Sequence, residues 1–306
     1  MTNNPKILIT GGLGFIFSHV TEYFVRKGYE VVVIDNCSIG SHPEILDGSF
    51  KFYKEDLCNR KSLDIFFEEN PHYIVHAAAI TDVDFSIKYP EETMRNNVFS
   101  TLNVFYAARK LKNLVKLLYV ATDEVYGECD IKKKETDIIF PRNPYSASKA
   151  LGSLLRISYD NTYPELKDKT AEIRPCNIFG SRQDTRKIFP QIIKSLREGY
   201  SIPLQEEGRG YREYLYVKNI PALIELILGS GNRVYNLTLN DGYTVKDLIK
   251  KVEKITNKKV ITHLATRPGH DKIYQMDNTR IKKLGWKPEY NFEEGLIDYL
   301  TLENIL

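Results

Sequence analysis

Short continuous apolar runs alternate, through the first half of the chain, with longer stretches whose apolar positions recur every three or four residues. Residues 6–10 (KILIT) and 30–34 (EVVVI) are runs of the first kind. Strands buried on both faces of a parallel sheet read this way, β-branched and without polar alternation. Between them, His19, Val20, Tyr23, Phe24 and Val25 fall at helical spacing, and Gly28 follows the last turn. The pattern repeats as strand 50–53, helix 62–69, strand 73–76, helix 91–110, strand 114–121, helix 144–160 and strand 171–174. Repeated βα units predict an α/β fold, a doubly wound parallel sheet of Rossmann type with helices on both faces.

After Arg174 the rhythm changes. Helical segments at 188–198, 220–228 and 245–255 alternate with polar loops and isolated short strands. This predicts a smaller α+β lobe, and no repeat, low-complexity tract or Pro/Gly-rich linker sets it apart. The expected division is 1–174 for the first domain and 175–306 for the second, with parts of 215–240 returning to the first. Two lobes without a linker pack tightly and leave a cleft between them.

Composition narrows the function. The 306 residues carry 43 Lys and Arg against 40 Asp and Glu, a formal charge of +3. That balance argues against a nucleic-acid-coating domain or an acidic tail. No run approaches 18 uninterrupted apolar residues, so no membrane span is expected. Residues 1–5 are polar and lack the pattern of a secretory signal. The four cysteines form no Cys-x-x-Cys pair and the six histidines no His-Glu-x-x-His element. A reduced, cytoplasmic protein without a metal centre is expected.

Chemistry enters where strand becomes helix, at Thr10-Gly11-Gly12-Leu13-Gly14-Phe15-Ile16-Phe17. Glycines there let the backbone approach a pyrophosphate, whose charge a helix N-terminus favours. Asp35 ends the second strand about 20 residues further on, the spacing at which an acid accepts both ribose hydroxyls of NAD and repels the extra phosphate of NADP. Phe17 stands where a third glycine normally allows close helix–strand packing. It is expected to push the helix aside or to turn away from the phosphate.

Two further groups belong to the expected cleft. Tyr145 and Lys149 lie one helical turn apart on one face. A cation near a phenol stabilises the phenolate, so Tyr145 is expected to titrate below its usual value and to take a proton from a sugar hydroxyl. Thr122, Asp123 and Glu124 follow a buried strand, and ligands gather at the carboxyl ends of parallel strands. Adjacent carboxyls in a partly buried pocket can titrate apart, one donating a proton while the other removes one, as elimination of water requires.

Taken together, these residues resemble the extended short-chain dehydrogenase/reductase family, and more closely its nucleotide-sugar 4,6-dehydratases, over nearly the whole chain. The glycine turn matches the family's cofactor turn, and Thr122-Asp123-Glu124-Val125-Tyr126-Gly127 is similar to the dehydratase signature. The resemblance implies that Gly11, Gly14, Phe15, Ile16, Asp35 and Asn36 bind NAD, with Asp56 and Leu57 at the adenine. Ala77, Ala78 and Ala79 would line the cofactor beside Tyr145 and Lys149. Thr81, Asn177, Arg212 and Arg267 would contact a nucleotide-diphosphate sugar. Gln205 stands where relatives often carry an aromatic residue for the base, which leaves the base open.

The implied reaction is oxidation of a hexose at C4, loss of water across C5 and C6, and return of hydride to C6. Tyr145, aided by Lys149 and Thr122, would act at C4, Glu124 at C5 and Asp123 at C6. Three alternatives stand beside it: a nucleotide-sugar 4-epimerase, a dehydratase acting on a different sugar, and a cofactor-binding protein without turnover. A homodimer is implied through the helices at 91–110 and 144–160. Leu102, Val104, Phe105, Leu151, Leu154 and Leu155 would serve that interface or an ordinary core.

Overall fold

The computed structural model describes residues 4–38, 40–265 and 273–306. Seven parallel strands form its central sheet. In spatial order they are β10 (Val234–Leu237), β6 (Thr170–Pro175), β5 (Lys116–Val120), β4 (Tyr73–His76), β1 (Lys6–Thr10), β2 (Glu30–Asp35) and β3 (Lys51–Lys54). Every pairing is parallel, and the register aligns Ile9 with both Val33 and Val75, Val75 with Leu118, and Leu118 with Ala171. All of these side chains are buried, which explains why their strands read as unbroken apolar runs.

Helices cover both faces. On one, α1 (Phe15–Arg26) packs beside α7 (Ile220–Ser230); on the other, α2 (Ser62–Glu69) packs beside α4 (Pro90–Lys110), and α4 beside α5 (Pro144–Thr162). A short α3 (Val83–Lys88), capped by the Asp82 side chain on the Phe85 amide, lies against α4 and α5. Pro at the first turn starts both α4 and α5, where its missing N–H costs nothing. Asn143 adds a full capping box to α5.

The rest of the chain builds two small sheets with their helices. One joins β7 (Asn177–Phe179), β9 (Tyr211–Tyr216) and β11 (Gly242–Thr244); the other joins β8 (Ile202–Gln205) and β12 (Thr262–Ala265). Around them lie α6 (Ile188–Glu198), α8 (Val245–Thr256), α9 (Thr279–Lys283) and α10 (Phe292–Leu302). α7 and β10 return from this half of the chain to the main sheet. A single apolar cluster runs from Ile9 and Val33 through Ile178 and Phe179 to Trp286 and Leu300, so the two parts share one core.

Strand order reverses between β1 and β4, the place where doubly wound sheets open a crevice at their carboxyl ends. Phe17 does not fill that crevice. It is buried in the shared core, and α1 continues unbroken past it. The expected misfit is thus resolved by turning the ring inward.

Candidate active site

Gly11, at the end of β1, has φ +68°, and a Cβ there would come within 2.8 Å of the Ala78 backbone. Only glycine combines that conformation with that contact. The turn and the segment after β4 therefore close on each other at the reversal point, through Ala77 and Ala78. Gly14 precedes α1 without a side-chain cap. The first-turn amides of a helix have no intrahelical acceptors, so those of Phe15, Ile16 and Phe17 offer donors to an anion. Asp35 is buried at the end of β2, where Leu13 N donates to it at 3.1 Å and Cys37 N at 2.9 Å. Asn36 is exposed beside it, as is Asp56, while Leu57 is buried.

A directional thread of hydrogen bonds crosses beneath the crevice. Thr10 Oγ1 accepts from the amides of Ala77 and Ala78 and is 2.8 Å from His76 Nδ1. His76 Nε2 lies 3.0 Å from Thr101 Oγ1, which donates to the Asn97 carbonyl at 2.7 Å. Since Thr10 accepts twice and Thr101 donates onward, the thread assigns the imidazole proton to Nε2. Burial and then the nearby Lys149 charge push the His76 pKa down to about 3, so the ring is neutral. Asn97 donates to Ser148 Oγ at 2.8 Å and to the Ile80 carbonyl, tying α4 to α5.

Tyr145 and Lys149 lie on α5 with both side chains buried. Burial pulls Lys149 down to about 7, with Glu172 pulling the other way, and its ammonium stands 5.0 Å from the centre of the Tyr119 ring. Tyr119 reaches under α5 to donate to the Lys149 carbonyl at 2.9 Å. Thr122, Asp123 and Glu124 enter from the end of β5, the last two opening a 3-10 turn, Asp123–Tyr126. Burial, then the charge of Glu124, pushes Asp123 up to about 7, against a bond from Thr122 and the Arg212 guanidinium. Glu124 accepts from Asn143 Nδ2 at 2.9 Å, so the residue that caps α5 also holds this carboxylate.

The structure therefore brings together Thr122, Asp123, Glu124 and Tyr145, with Arg212 close enough to act on Asp123, while Lys149, one turn along α5 from Tyr145, sets its ammonium over the Tyr119 ring. One expectation is corrected. Burial and then Glu124 hold the Tyr145 phenol well above its ordinary range, while a hydrogen bond with Thr122 draws it the other way. Desolvation and the two acids outweigh that hydrogen bond. Thr81 and Asn177 are exposed, and Arg212 lies 4.5 Å over the Tyr274 ring. Arg267 lies outside the described residues. Asn143, His76 and Thr101 were not singled out as site residues. Asn-Pro-Tyr, a cap followed by Pro, was the available signal for Asn143.

An acid protonated up to about pH 7, an acceptor carboxylate and a phenol after β5 and at the start of α5, in a fold that also holds an uncapped helix N-terminus after β1 and a buried carboxylate at the end of β2, suit dinucleotide-dependent elimination. Residues 8–299 match the family model described as GDP-mannose 4,6 dehydratase. A trifunctional UDP-glucose 4,6-dehydratase/UDP-4-keto-6-deoxy-D-glucose 3,5-epimerase/UDP-4-keto-L-rhamnose-reductase of Arabidopsis thaliana is 34% identical over 313 residues. The alignment covers 96% of this chain and 47% of that protein, so the chain spans about half the length of that relative. The dTDP-glucose 4,6-dehydratase DesIV of Streptomyces venezuelae, solved with NAD bound, superposes with a TM-score of 0.90 at 27% identity, covering 98% of this chain and 97% of that one. The UDP-glucose 4-epimerase of Thermus thermophilus, solved with NAD, gives 0.91 at 27%, covering 98% and 99%. Overall shape does not separate the two activities.

Proposed function

The chain belongs to the GDP-mannose 4,6-dehydratase family, and from that premise we propose that it is an NAD-dependent nucleotide-sugar 4,6-dehydratase, a lyase converting an NDP-hexose to an NDP-4-keto-6-deoxyhexose. The observation that carries the reading is the buried acid pair beside the phenol. Asp123 keeps its proton up to about pH 7 through burial and the neighbouring Glu124, while Glu124 sits as an acceptor on Asn143. An epimerase needs Tyr145 and Lys149 but has no task for a protonated acid next to a second carboxylate.

The residues present fit NAD. The uncapped start of α1 with Gly11, Gly14, Phe15 and Ile16 would hold the pyrophosphate, Asp35 and Asn36 the ribose, and Asp56 and Leu57 the adenine. Ala77, Ala78, Ala79, Tyr145 and Lys149 would flank the nicotinamide. When bound, NAD supplies a hydride acceptor and donor and a cationic ring. The chain's own groups handle protons. Tyr145 would take the proton of the C4 hydroxyl as a phenolate, which the cationic ring of bound NAD and Lys149 one turn along would have to favour against burial and the two acids, with Thr122 bonded to its oxygen. The C4 ketone acidifies the hydrogen at C5, which Glu124 removes. Asp123 gives its proton to the hydroxyl leaving C6 and water departs; with the hydride taken from C4 returned to C6, Glu124 would give its proton back to C5, completing the 4-keto-6-deoxy sugar. Thr81, Asn177, Arg212 and Arg267 would hold the sugar nucleotide, the two arginines suiting its diphosphate because they are permanently charged and bidentate.

Incubation with dTDP-, UDP-, GDP- and CDP-hexoses, followed by mass spectrometry, tests this. Loss of one water from one member of the panel is expected. A C4 epimer of unchanged mass would refute dehydration in favour of epimerisation.

We further infer a homodimer. α4 and α5 pack together and turn Phe99, Leu151, Leu154 and Ile157 outward as exposed apolar residues. Such a face supports pairing with a second copy across a two-fold axis. Four unpaired thiols, Cys37, Cys58, Cys129 and Cys176, support a reducing compartment such as the cytoplasm.

A further inference from the structure

Tyr126 closes the 3-10 turn that carries the acid pair, yet the chemistry above gives it no task. Its side chain is buried and its hydroxyl is engaged on both sides, donating to Asn236 Oδ1 at 2.8 Å and accepting from Arg174 Nη1 at 2.8 Å. The Arg174 guanidinium also lies 4.9 Å from the Tyr126 ring centre. Arg174 Nε donates at 2.7 Å to Glu172, whose fully buried carboxylate receives Ser153 Oγ at 2.8 Å and Arg156 Nε at 3.1 Å. Ser153 and Arg156 stand on α5, about one and two turns beyond Lys149. Asn236 on β10 donates onward to the carbonyls of Lys133 and Asp277. One polar network thus joins the helix of Tyr145 to the turn of Asp123 and Glu124, through β6 and β10.

The turn's geometry gives the network leverage. A 3-10 turn has three residues per turn, so positions i and i+3 share a face. Asp123 and Tyr126 are such a pair. The anchored phenol therefore sets how the turn is rotated and where Asp123 points. Buried ions are a weak source of stability, because desolvation offsets their attraction; fixing register is a better-attested use.

We propose that Tyr126, held by Arg174 and Asn236, is a positioning residue that keeps Asp123 and Glu124 in register with Tyr145, so that the proton transfers at C5 and C6 keep pace with oxidation at C4. This rests on the dehydratase reading. Tyr126→Phe removes the hydroxyl and keeps the ring; Asn236→Ala releases the same hydroxyl from its other side. The NAD-loaded wild type and both variants are given the nucleotide hexose that the wild type dehydrates. The readings are kcat, KM, the thermal midpoint and the near-ultraviolet absorbance of reduced nicotinamide at steady state.

The expected result is a kcat lower by about 10- to 100-fold with KM changed by less than about threefold, as a small misplacement of reacting groups produces. Reduced nicotinamide should accumulate, because oxidation continues while elimination lags. An unchanged kcat overturns the proposal. So does a loss of kcat without that accumulation, which marks a role in folding alone. If the wild type itself forms no dehydrated product, the underlying reading fails first and independently of the variants.

Discussion

One methyl group added at position 152 separates local preference from tertiary packing. Gly152 lies inside α5, where alanine is intrinsically favoured by about 1 kcal/mol, so helix propensity alone makes Gly152→Ala stabilising. The packing gives the opposite sign. A Cβ at this position would stand 2.0 Å from the Tyr119 hydroxyl oxygen and 2.3 Å from the ring carbon that bears it. Comfortable carbon contacts begin near ~3.5 Å. Tyr119 has nowhere to go: it is 1% exposed, its hydroxyl is bonded to the Lys149 carbonyl, and the rings of His76 and Phe105 lie against it.

Either α5 lifts from the sheet or the phenol leaves its place. Overpacking costs about 1–3 kcal/mol and an orphaned buried hydroxyl a similar amount, so whichever occurs the net loss after the propensity gain is roughly 1 kcal/mol. Urea unfolding of the variant against the wild type measures this as a lower midpoint at unchanged slope. Adding Tyr119→Phe to the variant should recover part of the loss, since it removes the nearer atom and leaves the ring. A Gly152→Ala protein as stable as the wild type, or more stable, refutes the reasoning.

Three further outcomes are expected. Folded Asp123 holds its proton up to about pH 7, against an ordinary value of 3.8, so its stabilising share is complete below the lower value and lost as pH rises through the upper one. Asp123→Asn, which cannot ionise, should gain on the wild type by as much as about 4 kcal/mol between acid and mildly alkaline pH; melting curves that run parallel across that range would count against the burial argument. Gly11→Ala combines φ +68° with a Cβ 2.8 Å from the Ala78 backbone, and should cost at least about 2 kcal/mol and weaken NAD in a fluorescence titration; tight binding by a stable variant would refute the close approach. Leu154→Asp places a charge on the exposed α4–α5 face and should lower the sedimenting mass towards one chain; an unchanged mass would move the interface elsewhere.

The sheet was legible because its strands are buried on both faces, and such strands leave unbroken runs such as those of β1 and β2. The crevice was legible where local spacing carries the chemistry: glycines between strand and helix, Tyr145 and Lys149 a turn apart, acids at a strand end. What escaped is what depends on distant partners. The tautomer of His76 follows from Thr10 and Thr101, and the grip on Tyr126 from Arg174 and Asn236; no local period announces either. The Tyr145 shift runs opposite to the sequence expectation because lysine spacing is visible in sequence and desolvation is not. Of six apolar positions considered on α4 and α5, Val104 and Phe105 turn inward while Leu151 and Leu154 face out. Periodicity marks such residues as apolar without saying which neighbour covers them.

β10 reaches the sheet late in the chain. β6 ends at Pro175, whereas β10, the strand that covers its outer side, begins only at Val234. With translation adding about 5–20 residues per second, a nascent β6 spends seconds with one row of backbone groups unpaired. Over that interval it is a template for foreign strands, and Arg174 and Tyr126 wait for the asparagine that completes their contact. A chain stopped near residue 175 would therefore leave the outer row of β6 backbone groups without the partner that β10 provides.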